Sequence, residues 1–181
     1  MFHGLILINK PFKLTSHNVV DKIRRLFKIK KVGHFGTLDP MAKGLLMIGM
    51  GHATKFFDFY TKKRKVYSGR IIFGYSTTTY DIEGEPTSLE VSVNFMKPHF
   101  EESLLAALKK FRGKQMQMPP IYSAKKFKGK PLYKYARENR DGEVEIKPAE
   151  IEIFSLDARV VAPSQIKFRT ETSSGTYIRS L

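Results

Sequence analysis

The chain has 181 residues, of which 32 are Lys or Arg and 17 Asp or Glu, for a formal net charge of +15. That surplus points to a polyanionic partner, nucleic acid ahead of an acidic membrane surface. The absence of cysteine excludes disulfides and thiolate metal sites and fits a reducing cytosol.

The length supports one domain with a sizeable core. Met1 to Ile8 is apolar, lacks a basic leader and a small-residue cleavage site, and reads as a buried strand over Leu5 to Ile8, closed by Asn9-Lys10-Pro11. A helix is expected after Ser16, with Val19, Val20, Ile23, Leu26 and Phe27 on one face and Lys22, Arg24, Arg25 and Lys28 on the other. Leu45 to Met50 reads as a buried strand. Ala53 to Tyr60 reads as a helix, with Phe56, Phe57 and Tyr60 facing the core. Val66 to Phe73 is a further strand. A helix over Glu101 to Arg112 is signalled by Pro98, acidic residues in its first turn, basic ones in its last and Gly113 beyond; Leu104, Leu105, Leu108 and Phe111 form its apolar stripe. Ala149-Ile151-Ile153 and Ile166-Phe168-Thr170-Thr172 alternate as half-buried antiparallel strands. Ser174 to Arg179 reads as a strand entered through a glycine bend, with Tyr177 and Arg179 on one face. No apolar run approaches the roughly 20 residues that span a bilayer, so a cytoplasmic protein is expected.

Two segments carry chemistry. In His34-Phe35-Gly36-Thr37-Leu38-Asp39-Pro40, Pro40 biases Asp39 toward extended backbone and Gly36 permits a tight bend before it. A stiff loop therefore presents one carboxylate in a very basic chain; an Asx turn is the structural alternative. From Lys114 to Arg137 there is no acidic residue, and Tyr122, Phe127, Tyr133 and Tyr135 lie among Lys125, Lys126, Lys128, Lys130, Lys134 and Arg137. Cations neutralise phosphates and aromatic faces stack on unpaired bases, so this stretch is read as an RNA contact rather than a solvated face. Lys62-Lys63-Arg64-Lys65 supports the same reading. The five histidines show no metal-ligand spacing. No phosphate-binding glycine loop and no nucleophile elbow is present. Neither a metal nor a cofactor is expected.

The motifs Gly4 to Pro11 with Thr15-Ser16-His17, His34 to Pro40 with Gly44-Leu45, Lys65-Val66-Tyr67, Tyr80 to Gly84, Pro119 to Lys126 and Ser174 to Arg179 occur in one order along the chain. In that order they resemble the TruB-type tRNA pseudouridine synthases. The resemblance implies an α+β fold, with a mixed, mainly antiparallel central sheet flanked by helices. It implies a catalytic domain over residues 1–181, incomplete at its carboxyl end, with an RNA-clamping insertion at about 115–147 and a PUA-type domain expected after 181. It implies isomerisation of uridine 55 in the T-loop of tRNA, on a flipped-out base, without cofactor or metal, by a monomer. Asp39 is then the catalytic aspartate and Tyr67 the aromatic stacked on the uracil. Arg179 is the ion-pair partner of Asp39, Tyr177 a pocket wall, His34 the filler of the vacated space, and Asp81 a polar contact near the pocket. Lys125, Lys126, Lys128, Lys130 and Arg137 are the RNA-binding cations. The alternatives are a guide-RNA-dependent synthase of the dyskerin-related branch and a non-catalytic tRNA-binding protein.

Overall fold

A computed structural model describes residues 2–88, 91 and 99–181. They form two compact units, Met1–Lys63 and Arg64–Leu181.

In the first unit, β1 (Gly4–Lys10), β2 (Val32–His34) and β3 (Gly44–Met50) make an antiparallel sheet in the order β1-β3-β2. Helix α1 (Ser16–Phe27) starts at a capping box: Thr15 Oγ1 accepts from the Asn18 N–H at 3.0 Å, and Asn18 Oδ1 accepts from the Thr15 N–H at 2.9 Å. Val19, Val20 and Ile23 of α1 form a core with Val32, Leu46, Ile48 and Met50. That helix covers one sheet face only, so β1, and β3 as far as Ile48, alternate in exposure rather than being buried throughout as expected. Leu7 and Leu45 are 62% and 66% exposed. Leu26 is also corrected to an outward position. Phe27 takes the inward place at that turn, and Leu26 lies about 100° round the helix from it.

The helix expected over Ala53 to Tyr60 is a 3-10 segment, Gly51–Phe56, followed by one turn of α-helix, α2 (Phe57–Thr61). The Thr54 hydroxyl donates to the Gly51 carbonyl at 2.9 Å within the tighter segment. The change of pitch turns Phe56 and Phe57 outward, contrary to their expected core position. Tyr60 does turn inward, stacked on Phe35 at 5.6 Å with an interplanar angle of 5°.

The second unit is built on a four-stranded antiparallel sheet, with β4 (Lys65–Ile72), β5 (Gly113–Gln117), β8 (Ala149–Ala162) and β9 (Gln165–Thr172) in the order β4-β9-β8-β5. Helix α3 (Phe100–Lys110) lays Leu104 and Leu108 on Ile151, Ile153, Leu156, Ile166 and Phe168. Its acidic first turn and basic last turn complement its dipole as expected. Pro98 lies outside the described residues. Leu105 and Phe111 are exposed, because Phe111 follows the last helical residue and Leu105 sits beside the buried stripe. A short hairpin, β6 (Lys126–Phe127) with β7 (Lys130–Pro131), leads into helix α4 (Leu132–Arg137). Its turn residues Lys128 and Gly129 both take positive φ, the geometry of a two-residue hairpin.

The strand expected over Ser174 to Arg179 is absent: β9 stops at Thr172, and turns follow. Gly175 takes φ +83°, and the Thr176 hydroxyl donates to the Ser173 carbonyl at 2.9 Å. These local bonds bend the backbone out of the ladder. The α+β class therefore holds, with antiparallel sheets and flanking helices. Among the described residues no helix is long and apolar enough to cross a membrane.

Burial separates residues of like chemistry on these elements. Ile153→Ala should destabilise the intact protein by about 2–5 kcal/mol through lost transfer and a cavity, whereas Leu105→Ser should stay within about 0.5 kcal/mol. Denaturant midpoints of the two variants measure the difference.

Candidate active site

Asp39 lies on the loop between β2 and β3, and the residues on either side of it are tied down. Leu38 packs against the α1 core, and its N–H donates to Ser16 Oγ at 2.9 Å. The Pro40 carbonyl accepts from the Lys13 N–H at 2.9 Å and from Lys10 Nζ at 3.3 Å. The Ala42 N–H donates to the Asp39 carbonyl at 3.0 Å, closing a β-turn with Pro40 at its favoured second position. Gly36, at φ +153°, makes the bend that precedes the loop. The Asp39 side chain is half-buried.

Lys10 is the residue that sequence reasoning passed over. It is 0% exposed, at the end of β1, and its ammonium also donates to the carbonyls of Leu14 at 2.6 Å and Pro11 at 3.1 Å. A buried ammonium is tolerated only when hydrogen-bonded, and three carbonyls match its three donors. Its signal in the sequence was a lysine closing an apolar strand directly before a proline.

His34 ends β2, half-buried, with Nδ1 buried and without a hydrogen-bond partner among the described residues. Burial lowers its pKa below the ordinary value, helped by the charge of His17 and opposed by a backbone hydrogen bond to Gly36. It is a neutral imidazole at neutral pH. The first unit thus places His34 at the end of β2 and Asp39 on the loop that follows it.

The second unit brings together Asp81, Tyr177 and Arg179. The Arg179 guanidinium donates from Nη1 to the Thr79 carbonyl at 3.0 Å and from Nη2 to the Tyr122 carbonyl at 2.7 Å. Its Nε lies 3.8 Å from Asp81 Oδ2, and the two side chains are 12% and 8% exposed. Asp81 Oδ1 in turn accepts from the Thr79 hydroxyl at 2.6 Å and the Glu83 N–H at 3.0 Å. Asp81 is therefore a partner of Arg179 itself, a closer role than a polar contact near the pocket. Tyr177 is held through its backbone by the Gln117 side chain, at 2.8 and 3.0 Å. Tyr67 lies opposite Thr170 in the β4–β9 ladder and is half-buried. Its side alternates with Val66 and Ser68, so it shares a sheet face with Gly69 and Ile71, which pair with the buried Phe168 and Ile166.

The five basic candidates divide. Lys126, Lys128 and Arg137 are exposed. Lys128 lies over Phe127 and Arg137 over Tyr133, at 5.3 and 5.5 Å from the ring centroids. Lys125 and Lys130 are half-buried. Lys125 Nζ donates to the Lys147 carbonyl at 2.9 Å. Lys130 is ion-paired with Glu138 and sits 4.8 Å over Tyr135. Glu138, which ends the acid-free stretch, thus folds back to neutralise one of its lysines.

The family model for the N-terminal domain of TruB family pseudouridylate synthases matches residues 24–178. The chain is 44% identical over 178 residues to a tRNA pseudouridine synthase B of Solibacter usitatus, covering 98% of this chain and 59% of that protein. It is 42% identical over 181 residues to the tRNA pseudouridine synthase B of Thermotoga maritima, covering 100% of this chain and 56% of that one. The chain therefore spans under two thirds of the length of these relatives. Among solved structures, a chain of a Cbf5-Nop10-Gar1 complex matches with a TM-score of 0.67 at 25% identity, over 98% of this chain and 41% of that one. A chain of an H/ACA RNP bound to a substrate RNA, at 21% identity and a TM-score of 0.65 over 98% of this chain and 40% of that one, shares the fold.

The lowered pKa of His34 makes stability depend on pH. Above the unfolded-state value of about 6.5 the residue is neutral in both states and contributes nothing. Below it the unfolded chain takes up a proton that the folded protein resists, so stability falls with pH. Unfolding free energies of the intact protein and of His34→Gln, measured between about pH 7.5 and 5.5, should show the smaller loss in the variant. Equal slopes would remove His34 from the effect.

Proposed function

Because this chain belongs to the TruB family of pseudouridylate synthases, matched over residues 24–178, we propose that it forms the catalytic module of an enzyme converting uridine to pseudouridine in tRNA, at position 55 of the T-loop, with Asp39 as the catalytic carboxylate. The observation that carries this reading is the 41–44% identity to curated tRNA pseudouridine synthases B across nearly the whole chain. The tethered loop around Asp39 supports it, since a reacting group held in one geometry spares the entropy of placing it.

The reaction breaks the N1–C1′ bond, turns the uracil and joins C5 to C1′. The proton on C5 leaves and N1 gains one, so mass and charge are unchanged. A carboxylate can serve this sequence by covalent attack on the sugar or base, or by taking a sugar proton to give a glycal. The uracil must leave the helix stack first, and Tyr67 offers it an aromatic face. His34, neutral and poorly hydrogen-bonded, suits the space that the extruded nucleotide vacates. In this reading Arg179 and Tyr177 serve the pocket, and Asp81 fixes the guanidinium. Residues 115–147 clamp the T-stem-loop, with Lys126, Lys128 and Arg137 meeting phosphates and Lys125 and Lys130 shaping the support beneath them. The protein works as a cytoplasmic monomer, without metal or cofactor. The higher identity to the tRNA enzymes than to the Cbf5 chain favours a bare tRNA substrate over a guide-RNA complex.

Asp39→Asn in the full-length protein should abolish pseudouridine formation in a T-stem-loop transcript while retaining tRNA on a filter, because affinity comes from phosphate contacts. Pseudouridine is read by mass spectrometry after base-selective derivatisation. Turnover by that variant, with deamidation back to Asp excluded by peptide mass, contradicts the assignment.

A further inference from the structure

Residues 174–181 carry Tyr177 and Arg179, yet no strand ladder holds them. The chain is last tied to the sheet at Ser173, whose N–H donates to the Glu152 carbonyl at 2.8 Å and whose hydroxyl accepts from the Glu152 N–H at 2.8 Å. Beyond it, Gly175 turns the backbone with φ +83°. The next anchor is Gln117, the last residue of β5, which is buried. Its Oε1 accepts from the Tyr177 N–H at 2.8 Å and its Nε2 donates to the Tyr177 carbonyl at 3.0 Å. A primary amide has the donor and acceptor of a peptide group, so this side chain pairs with Tyr177 as a one-residue strand would. Both backbone bonding groups of Tyr177 are then engaged, which fixes where its ring projects and where the chain delivers Arg179 two residues later. The neighbouring Ser180 hydroxyl donates to the Met118 carbonyl at 3.0 Å, lacing the same two segments together.

We infer that Gln117 is the positioning residue that sets Tyr177 and Arg179 for the isomerisation, an inference that rests on the function proposed above. It touches neither substrate nor reacting atoms; it acts through the backbone of Tyr177. The amide is specifically required. An apolar side chain of like size fills the same volume but leaves the Tyr177 N–H unpaired and its carbonyl with only the longer bonds from the Ser180 and Leu181 N–H groups, at 3.2 and 3.3 Å. A glutamate keeps the acceptor for the N–H. It can donate to the carbonyl only while protonated, and once ionised it sets a second oxygen against that carbonyl. Because its hydrogen bond favours the neutral acid, its pKa rises.

The test uses full-length protein, with wild type, Gln117→Leu and Gln117→Glu assayed on tRNA across pH, each rate divided by wild type at the same pH. Gln117→Leu should lose roughly ten- to a hundredfold in kcat, with KM for tRNA little changed. Gln117→Glu should approach wild type at low pH and fall toward the leucine variant as its carboxyl ionises. A residue that only filled space would not produce that pH profile. 3-Fluorotyrosine at position 177 supplies a readout independent of activity. Its 19F line should be single in wild type and in acidic Gln117→Glu, and shifted or broadened in Gln117→Leu and in Gln117→Glu at high pH. If wild type forms no pseudouridine, the functional reading fails while the 19F lines still decide what Gln117 holds. A leucine variant with wild-type kcat and an unchanged line, or a glutamate variant with a flat profile, overturns the inference. If Gln117→Leu does not fold, the glutamate variant at low and high pH carries the comparison alone.

Discussion

A buried ammonium group is the constraint on which the Asp39 loop depends. Lys10 closes β1 in a fully buried position, and its charge is tolerated because the carbonyls of Pro11, Leu14 and Pro40 surround it. Two of those carbonyls belong to the segment between β1 and α1, and the third belongs to the residue after Asp39. One side chain thus joins two pieces of backbone that the sheet ladder does not connect. Ser16, at the start of α1, makes the complementary tie on the other side of Asp39, through Leu38. The backbone on either side of Asp39 is held between an electrostatic tether and a hydroxyl, over a core that α1 and β3 seal.

The second unit solves a related problem by different means. A chain with a net charge of +15 must place cations without letting them repel. Arg179 is bound by two carbonyls and stands beside Asp81, which is itself oriented by Thr79 and Glu83. Such a buried group keeps its geometry because removing any partner would strand a desolvated charge. The hairpin and α4 use exposed pairings instead, where Lys130, Glu138, Arg140 and Glu143 alternate in sign around Tyr135. Surface pairs of this kind add little stability, but they order the support from which Lys126 and Lys128 project.

Much of this was legible in the sequence because it follows from local chemistry. The inward face of α1 at Val19, Val20 and Ile23, the buried Leu104 and Leu108 of α3 and the alternation of β8 and β9 are written in spacing and residue type. Exposure on the outer face of β1 and β3 was not legible, since Leu5, Leu7 and Leu45 read as core until the number of covered faces is known. The turn over Ser174 to Arg179 was hidden for another reason. β-propensity favours Thr176-Tyr177-Ile178, but the amide of Gln117, far away in sequence, takes the bonds that a ladder would use. Lys10 and Gln117 are polar residues whose work is done on distant backbone, and neither spacing nor charge pattern reports such partners.

The Lys10 ammonium holds the Asp39 loop in place. Hydrogen exchange of the full-length protein and of Lys10→Met tests it directly, because methionine keeps an unbranched apolar stem and removes the charged donor group. Exchange should be faster at the amides of Lys13, Leu38 and Ala42, with the β1–β3 ladder amides unchanged. Unaltered protection at those three loop amides, in a folded Lys10→Met protein, would contradict it.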